Sequence, residues 1–499
     1  MLAGKGPGWY STRCDMKERV LQTWLPATAL AVIGVAAIGW WFSGDPAGGL
    51  HVHGPDMDDP DGRRAAEVRV REPVGVGQYF ERFDGVAAVV PGRWPHFRGA
   101  GYDNIRTNAV PLADHWPTNG PPMLWSIELG EGHAGPAVAN GRVYVLDYIE
   151  DAERDALRCF SLADGREIWR RSYAVKVKRN HGMSRTVPAV TDRYAVTLGP
   201  LCHVMCVRSI FGDFLWGLDL VSDYGAEVPG WYAGQCPLIE DGKAILAPAG
   251  TNVLMMAVDC ESGDTVWTTP NPGGFKMSHS SVTPMVLDGV RMYVYVALGG
   301  VVGVAAEGPE AGRLLWQTDI WSPRVAVPSP VILDDGRIYL TAGYAAGGMM
   351  IRIVPDGDGY RVEELYRCKP REGLASEQQT PLYYREHLFG VMPKDGGRLR
   401  QQLVCFRPDG ALAWSSGRGE RFGIGPYIVA DNKLFVLDDN GEMTMAEASV
   451  EAFRPLARAR VLAGHDSWGP PALVSGRLLV RDARTMICLD LRKQSLAGR

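Results

Sequence analysis

The stretch Pro136-Ala-Val-Ala-Asn-Gly-Arg-Val-Tyr-Val-Leu146 decides the fold, because seven further versions of it follow along the chain. In each version a proline opens a short apolar run, a turn follows, and a second apolar run comes after the turn. Proline is tolerated at the first residue of a strand, and the Asn-Gly or Asp-Gly pairs in most of the turns accept the positive φ of a tight hairpin. The repeat therefore predicts a series of β-hairpins. Its copies recur about every 48 residues and begin at Pro136, Pro188, Pro237, Pro284, Pro330, Pro381, Pro426 and Pro471.

A second pattern, Gly-x-x-x-Trp, falls at the end of five of these repeats. The pairs are Gly165/Trp169, Gly212/Trp216, Gly263/Trp267, Gly312/Trp316 and Gly410/Trp414. Glycine suits the turn, and tryptophan offers a large flat surface that can pack between neighbouring sheets. The repeat length is typical of propeller blades. Together the two patterns predict an all-β, eight-bladed β-propeller with four-stranded blades.

The eighth repeat ends near Leu491, one strand short of a full blade. A spare strand, Met123 to Leu129, stands before the first repeat and carries a tryptophan, Trp125. We expect this N-terminal strand to complete the last blade, because ring closure removes the free edge that an open sheet would present.

Composition narrows the class of protein. The net charge is −5, with 46% hydrophobic and 22% charged residues, which is ordinary for a globular protein and argues against nucleic-acid binding. The sequence has no CxxC, no P-loop and no GxGxxG, HExxH or GxSxG motif. Zinc ribbons and the common nucleotide-binding and hydrolase sites are therefore not indicated.

An uncharged stretch near the N-terminus predicts a membrane anchor. Residues 20–44 carry no charge, have tryptophans near both ends, and follow four basic residues. This length and charge bias favour an uncleaved signal anchor with the N-terminus inside, although a cleaved signal peptide remains an alternative. The domain prediction is a cytoplasmic tail (1–19), a transmembrane segment (20–44), a flexible linker with a short helix near 74–83 (45–93), the propeller (94–493) and a C-terminal tail (494–499).

Two segments resemble a known family. Ala257-Val-Asp-Cys-Glu-Ser-Gly-Asp-Thr-Val-Trp267 resembles the tryptophan-docking repeat of quinoprotein propellers. Trp94-Pro-His-Phe-Arg-Gly99 is similar to the opening of pyrroloquinoline-quinone-like repeat proteins of bacterial envelopes. The family includes quinone- and calcium-dependent dehydrogenases and non-enzymatic members such as the propeller lipoprotein of outer-membrane assembly. This chain has neither the adjacent cysteines of many such dehydrogenases nor a CxxCH haem motif, so in character it is closest to the non-enzymatic members.

The loops that precede the eight prolines should meet at one mouth of the central channel, and they are rich in polar residues. Convergence of such loops on a concave surface predicts a ligand site. The candidate binding residues are His133, Asn180, His181, Arg185, Gln235, His279, Arg324, Glu377, Arg421, His465 and Asp466.

The chemistry at this mouth is left open by the sequence, and no catalytic residue is assigned. If the chain were a quinoprotein, Asn180, Glu377 and Asp466 would be the calcium ligands and Glu377 or Asp466 the base, with Arg324 near the quinone. A histidine metal site would use His133, His181, His279 and His465. The sequence also permits, without deciding, a disulfide between Cys202 and Cys206.

We expect the protein to act as a binding or scaffold module, with no catalytic activity assigned. Its expected partners are envelope proteins or polymers, and a single helix is expected to anchor it in the membrane. The resemblance implies the bacterial inner membrane, with the propeller on the periplasmic side. We expect a monomer, and the sequence assigns no cofactor, with pyrroloquinoline quinone and calcium left open. The alternatives are a membrane-bound quinoprotein dehydrogenase that oxidises an alcohol or sugar with pyrroloquinoline quinone and calcium, and a metal- or ligand-binding sensor.

Overall fold

The computed structural model describes residues 34–35, 74–107, 110–357 and 359–493. Every strand among them belongs to one compact unit, residues 71–499. The predicted anchor lies outside the described residues except for Gly34 and Val35, as do both predicted tails. In the described ranges, no helix combines the length and apolar character needed to cross a membrane.

From residue 74 onward, the described chain consists mainly of short β-strands, with one α-helix, α1 (Leu220–Tyr224), and two 3₁₀ turns, Glu150–Ala152 and Gly397–Leu399. The strands are β1 (Tyr79–Arg82), β2 (Ile105–Arg106), β3 (Met123–Glu128), β4 (Ala137–Ala139), β5 (Arg142–Ile149), β6 (Arg154–Ser161), β7 (Glu167–Ala174), β8 (Ala189–Val190), β9 (Tyr194–Leu198), β10 (His203–Arg208), β11 (Phe214–Asp219), β12 (Leu238–Glu240), β13 (Lys243–Leu246), β14 (Val253–Asp259), β15 (Thr265–Pro270), β16 (Thr283–Leu287), β17 (Val290–Ala297), β18 (Gly300–Ala305), β19 (Leu314–Thr318), β20 (Val331–Ile332), β21 (Arg337–Ala342), β22 (Gly347–Asp356), β23 (Gly359–Cys368), β24 (Leu382–Tyr384), β25 (His387–Val391), β26 (Leu403–Phe406), β27 (Leu412–Ser415), β28 (Tyr427–Ala430), β29 (Lys433–Leu437), β30 (Glu442–Glu447), β31 (Pro455–Arg460), β32 (Ala472–Val474), β33 (Arg477–Arg481) and β34 (Thr485–Asp490).

These strands form eight sheets, which confirms the predicted all-β, eight-bladed propeller. From the inner strand outward, blades 1 to 7 are β4–β7, β8–β11, β12–β15, β16–β19, β20–β23, β24–β27 and β28–β31. Blade 8 is β32–β34 completed by β3, which pairs antiparallel with β34. The inner strands are almost wholly buried because each sheet packs between its neighbours, which accounts for their continuous apolar sequences.

The tryptophans of the Gly-x-x-x-Trp pattern pack between blades, as predicted. Trp169 of blade 1 donates from Nε1 to the Ile210 carbonyl of blade 2 at 3.2 Å. Its ring lies so close to Gly212 that an added Cβ there would stand 2.8 Å away. Trp125 of β3 docks on blade 1 in the same manner, donating to the Leu162 carbonyl at 3.1 Å. The closing strand therefore continues the same contact around the ring.

The segment before the propeller does not behave as the sequence predicted. Residues 79–82 were expected to lie in the linker, near a short helix, but they form β1 and pair antiparallel with β7 at the outer edge of blade 1. The rest of this segment, residues 83–93, continues along blade 1, where Ala88 donates its N–H to the Gly141 carbonyl, and then reaches blade 8, where the Ser475 hydroxyl donates to the Pro91 carbonyl. We call residues 79–93 the strap. Its aromatic side chains stack with blade arginines, a stabilisation that the apolar periodicity does not reveal.

Residues 94–106, which we call the plug, leave the strap and cross one end of the central channel. Trp94 bridges to Val138 of blade 1, and the buried Arg98 donates to the Pro381 carbonyl beside blade 6 at 3.0 Å. Tyr102 donates to Glu240 of blade 3, and β2 then adds parallel to β28 of blade 7. By bonding to inner strands on several sides, the plug closes this end of the channel.

Candidate functional site

The two ends of the channel differ. The backbone of the plug bonds to Val138, Val190 and Val429 within the inner strands, whereas the polar loops identified in the sequence precede the N-terminal ends of these strands. Between the plug and these loops lies a cavity of about 310 Å³, which we call the cup. Phe97 of the plug and Trp468, Tyr344 and Trp231 of the loops supply aromatic surface to it. The propeller therefore presents a blind pocket at this mouth.

Arg185 organises one wall of the cup. Its guanidinium donates to the carbonyls of Trp231, Asn180 and His181, the last at 2.8 Å. No carboxylate forms an ion pair with it among the described residues. Burial lowers the pKa of Arg185 to about 10, so it is still a cation at neutral pH. Its charge is solvated by backbone carbonyls and is not neutralised by a counter-charge.

The aromatic wall is held by unusual backbone conformations. Trp231 and Tyr344 come from separate loops and stack at 6.1 Å between ring centroids, with their planes 14° apart. Both residues, and His181 opposite, have φ between 51° and 61°, in the left-handed region that bulky side chains rarely adopt. Residues held in such conformations tend to cluster at functional sites.

His133 and His279 of the cup are neutral at physiological pH. Burial, reinforced by the charge of Arg185, lowers the pKa of His133 to about 3 and that of His279 to about 4. Glu377 shows the opposite response: burial raises its pKa, and the nearby Lys394 acts against that rise. The ionisable side chains that line the cup besides the histidines are therefore two basic residues, Arg185 and Lys394, and one acidic residue, Glu377.

The structure divides the predicted site residues between two neighbouring cavities. His133, His181, Arg185, His279 and Glu377 line the cup. A second cavity, of about 780 Å³, holds Asn180, His465 and Asp466 and shares His133 and His181 with the cup. In this second cavity the Glu131 carboxylate forms ion pairs with Arg179 and Arg484. These three charged side chains therefore already have partners of opposite charge.

Three predicted residues serve other purposes. Gln235 is buried and bonds through its side-chain amide to the backbone of Ala247. Arg421 is paired with Asp439, and Arg324 is exposed and lines neither cavity. The position of a loop along the sequence could not distinguish these outcomes.

The residues proposed for calcium do not assemble. Glu377 lies in the cup, while Asn180 and Asp466 lie in the second cavity. Across the part of the chain that the structure describes, no group of three or more His, Cys, Asp or Glu side chains is placed to hold a metal ion. The donor set of a calcium-dependent quinone site, and that of the proposed histidine metal site, are therefore not formed by these residues.

The disulfide considered between Cys202 and Cys206 is also not formed. The Cys206 thiol faces the Cys260 carbonyl at 3.4 Å, and Cys202 Sγ lies 3.8 Å from Met277 Sδ. Both cysteines pack in the apolar core between blades 2 and 3.

Sequence reasoning missed several lining residues, among them Phe97, Tyr344 and Lys394. Phe97 lies in the family-like opening motif, but nothing in that motif shows that it becomes the floor of a pocket. Tyr344 and Lys394 follow second strands of their blades and precede no proline, so a search confined to the pre-proline loops passes over them. A glycine-rich turn around Tyr344, GYAAGG, was the available signal.

Fold and site define a plugged eight-bladed propeller with docking tryptophans and a polar and aromatic cup at one mouth. Residues 153–356 match the family model of the outer membrane protein assembly factor BamB. Over these residues the chain is similar to the pyrroloquinoline-quinone-like propeller repeat family, as its repeats indicated.

Solved structures agree on the fold. BamB from Moraxella catarrhalis is similar with a TM-score of 0.51 and 14% identity, over 74% of this chain and 99% of that one. A europium-containing methanol dehydrogenase has a TM-score of 0.55 and 10% identity, over 78% and 89%. The quinohemoprotein alcohol dehydrogenase from Comamonas testosteroni has a TM-score of 0.52 and 12% identity, over 82% of each chain. No curated protein sequence matches this chain.

Proposed function

We propose that this protein is a membrane-anchored propeller on the periplasmic side of the bacterial inner membrane, and that it acts as a binding module without catalysis. The observation that carries the proposal is the cup, a blind pocket with aromatic walls and an excess of cations but no assembled metal-ligand set among the described residues. The match to the BamB family model supports a non-catalytic role. The uncharged segment 20–44 supports the anchor and its orientation.

The cup favours a planar anionic ligand, either a small aromatic carboxylate or the carboxylate-bearing part of an envelope polymer or protein. The cup is lined by two basic side chains, Arg185 and Lys394, and by one acidic side chain, Glu377. Stacked Trp231 and Tyr344 offer a flat surface for a ring. The His133 and His279 rings are uncharged at neutral pH and so add polar contacts but no further charge.

The second candidate is a quinoprotein dehydrogenase. The same cationic and aromatic lining would suit pyrroloquinoline quinone, which is planar and carries carboxylates. The separation of Asn180 and Asp466 from Glu377 argues against calcium-dependent chemistry at this position. A quinone probe with and without calcium separates the two candidates.

The test is a tryptophan-fluorescence titration of the full chain in detergent with pyrroloquinoline quinone, in calcium-containing buffer and in chelator. A binding module predicts saturable quenching that is independent of calcium, with no oxidation of alcohols or sugars. We expect Lys394→Gln and Tyr344→Ala to weaken binding roughly tenfold, or about 1.4 kcal/mol, through loss of charge and stacking. Lys276→Gln, which changes an exposed lysine outside the cup, should bind like the wild type.

Two results would contradict the proposal. A flat titration at high probe excess would mean that the cup does not accept planar anions. Calcium-dependent quenching accompanied by alcohol oxidation, both abolished by Glu377→Ala, would establish the dehydrogenase instead.

A further inference from the structure

The second cavity, of about 780 Å³, is larger than the cup and joins it at the mouth, where His133 and His181 line both cavities. From there it extends between the outer strands of blades 7 and 8. Met123 and Ser126 of β3 line it on one side, and Val461, which follows β31, lines it on the other. We call this cavity the groove. The cup is therefore the inner end of a longer surface.

The groove lies at a junction between blades where the docking tryptophan is replaced by a small residue. Ala457 of β31 occupies the register position that Trp169 holds in blade 1. The loop before β3 fills part of the space, since an added Cβ at Gly120 would lie 2.7 Å from the Cβ of Ala459. Val461, two residues further along the chain, lines the open groove. The junction is thus closed by a small side chain and a loop, which leaves room for the groove.

The charges along the groove are already matched. Glu131 forms ion pairs with Arg179 at 2.7 Å and with Arg484 at 3.2 Å. Asp482 accepts three backbone N–H groups, and Asp466 lies 2.9 Å from the imidazole of the preceding residue. Among the described residues, no tryptophan, tyrosine or phenylalanine lines the groove. It therefore offers neither a positive track for a polyanion nor flat surfaces on which sugars or bases could stack.

The cup, at the inner end of the groove, has the opposite character. Arg185 bonds to backbone carbonyls through Nε and Nη2, but its Nη1 donates to none of the described residues. A guanidinium group binds a carboxylate through strong, charge-assisted hydrogen bonds. Trp231 and Tyr344 add a flat surface to the same cavity. A ligand that matches both parts has one anionic end with a ring, followed by a chain that carries no charge.

We infer that the groove binds the last residues of an extended peptide whose terminal aromatic side chain and free carboxylate occupy the cup. This inference rests on the proposed function, because it uses the cup as the site of the ring and the carboxylate. A peptide can carry its only charge at its carboxyl terminus, whereas acidic glycans and nucleic acids repeat their charges along the chain. Met123 and Val461 offer aliphatic contacts to the side chains of such a peptide. The hydroxyls of Ser126 and Thr485 can bond to its amide groups.

The test is isothermal titration calorimetry of the full chain in detergent with two probes. One probe is N-acetylphenylalanine, which is large enough for the cup only. The other is an N-acetylated hexapeptide that ends in phenylalanine with a free carboxylate and has only serine and valine before it. Binding in the groove predicts a Kd for the hexapeptide at least about tenfold lower than that for N-acetylphenylalanine. The same hexapeptide with a terminal amide should lose this affinity, because it brings no carboxylate to Arg185.

Two variants locate the binding. Ser126→Trp adds an indole to the groove from an exposed position of β3 and should raise the Kd of the hexapeptide to about that of N-acetylphenylalanine. The short probe should bind this variant as it binds the wild type, which also shows that the variant is folded. Thr268→Trp is the matched control, because Thr268 is exposed, follows Trp267 on β15 as Ser126 follows Trp125 on β3, and lines neither cavity. It should bind both probes like the wild type.

The outcomes separate the peptide site from the proposed function. A hexapeptide that binds no more tightly than N-acetylphenylalanine, or that binds Ser126→Trp as tightly as the wild type, would overturn the peptide site and leave the cup. If neither probe binds while pyrroloquinoline quinone does, the peptide site alone is wrong; if the quinone does not bind either, both are wrong. Binding of hexagalacturonate that Ser126→Trp abolishes would assign the groove to an acidic glycan and would also overturn the peptide.

Discussion

Asp155 shows how a single residue can couple the stability of the propeller to pH. Its carboxylate is fully buried in blade 1, accepts a hydrogen bond from the Tyr173 hydroxyl at 2.8 Å, and lies near Asp147. Burial raises its pKa to about 7. The protonated form is therefore favoured in the folded protein over a range in which the unfolded chain is already ionised.

The sign of the effect follows from this difference. The stabilising contribution of Asp155 is complete below about pH 4 and is lost as the pH rises towards 7. The amide side chain of the variant Asp155→Asn cannot ionise. Between pH 4 and pH 7 the free energy of unfolding of this variant should therefore fall by about 2–4 kcal/mol less than that of the wild type. Urea denaturation at several pH values measures this. The exposed Asp151→Asn should follow the wild-type profile, and a parallel profile for Asp155→Asn would show that its carboxyl titrates normally.

At the scale of one structural element, two features of the fold require glycine in the Gly-x-x-x-Trp pattern: a positive φ and close contact with a tryptophan ring. Gly212 has a φ of 74°, which disfavours any side chain, and it faces the Trp169 ring of the preceding blade. Gly289 has a similar φ of 80° but open space around it. The pair separates backbone strain from interblade contact.

Gly212→Ala should therefore destabilise the protein more than Gly289→Ala. We expect about 1 kcal/mol for the strain at either site and an additional 1–3 kcal/mol at Gly212 from the displaced indole. Chemical denaturation of both variants measures the difference. Equal losses would mean that Trp169 shifts without cost.

On the scale of the whole molecule, the ring closes where β3 joins blade 8 and Trp125 docks on blade 1. Arg481 strengthens this seam: it is fully buried and donates to the carbonyls of Ala134, Gly130 and Ala483. The chain ends of the propeller are thus joined by one docking tryptophan and one buried arginine.

Trp125→Ala should cost about 3–5 kcal/mol and should open this seam first. Trp414→Ala removes an equivalent contact, to the Ser449 carbonyl, inside the ring and serves as the matched variant. Hydrogen exchange should accelerate in β3 and β34 for Trp125→Ala but in β27 for Trp414→Ala. Uniform acceleration in both variants would show that the propeller opens only as one unit.

The sequence by itself determined the repeat, the number of blades, the docking tryptophans and the strand that closes the ring. These features depend on local patterns, since proline at a strand start, Asn-Gly turns and apolar runs act over a few residues and recur at a fixed spacing. Trp125 could be assigned to blade 8 because its strand carries the tryptophan that the last blade lacks.

Only the tertiary structure decided which loop residues form the site. Phe97 becomes the floor of the cup because the plug crosses the channel, and Asn180 separates from Glu377 because their loops face different cavities. The strap is a strand because the free edge of β7 accepts it, although its own sequence resembles a linker. Such outcomes depend on contacts between residues far apart in the chain, which no local pattern encodes.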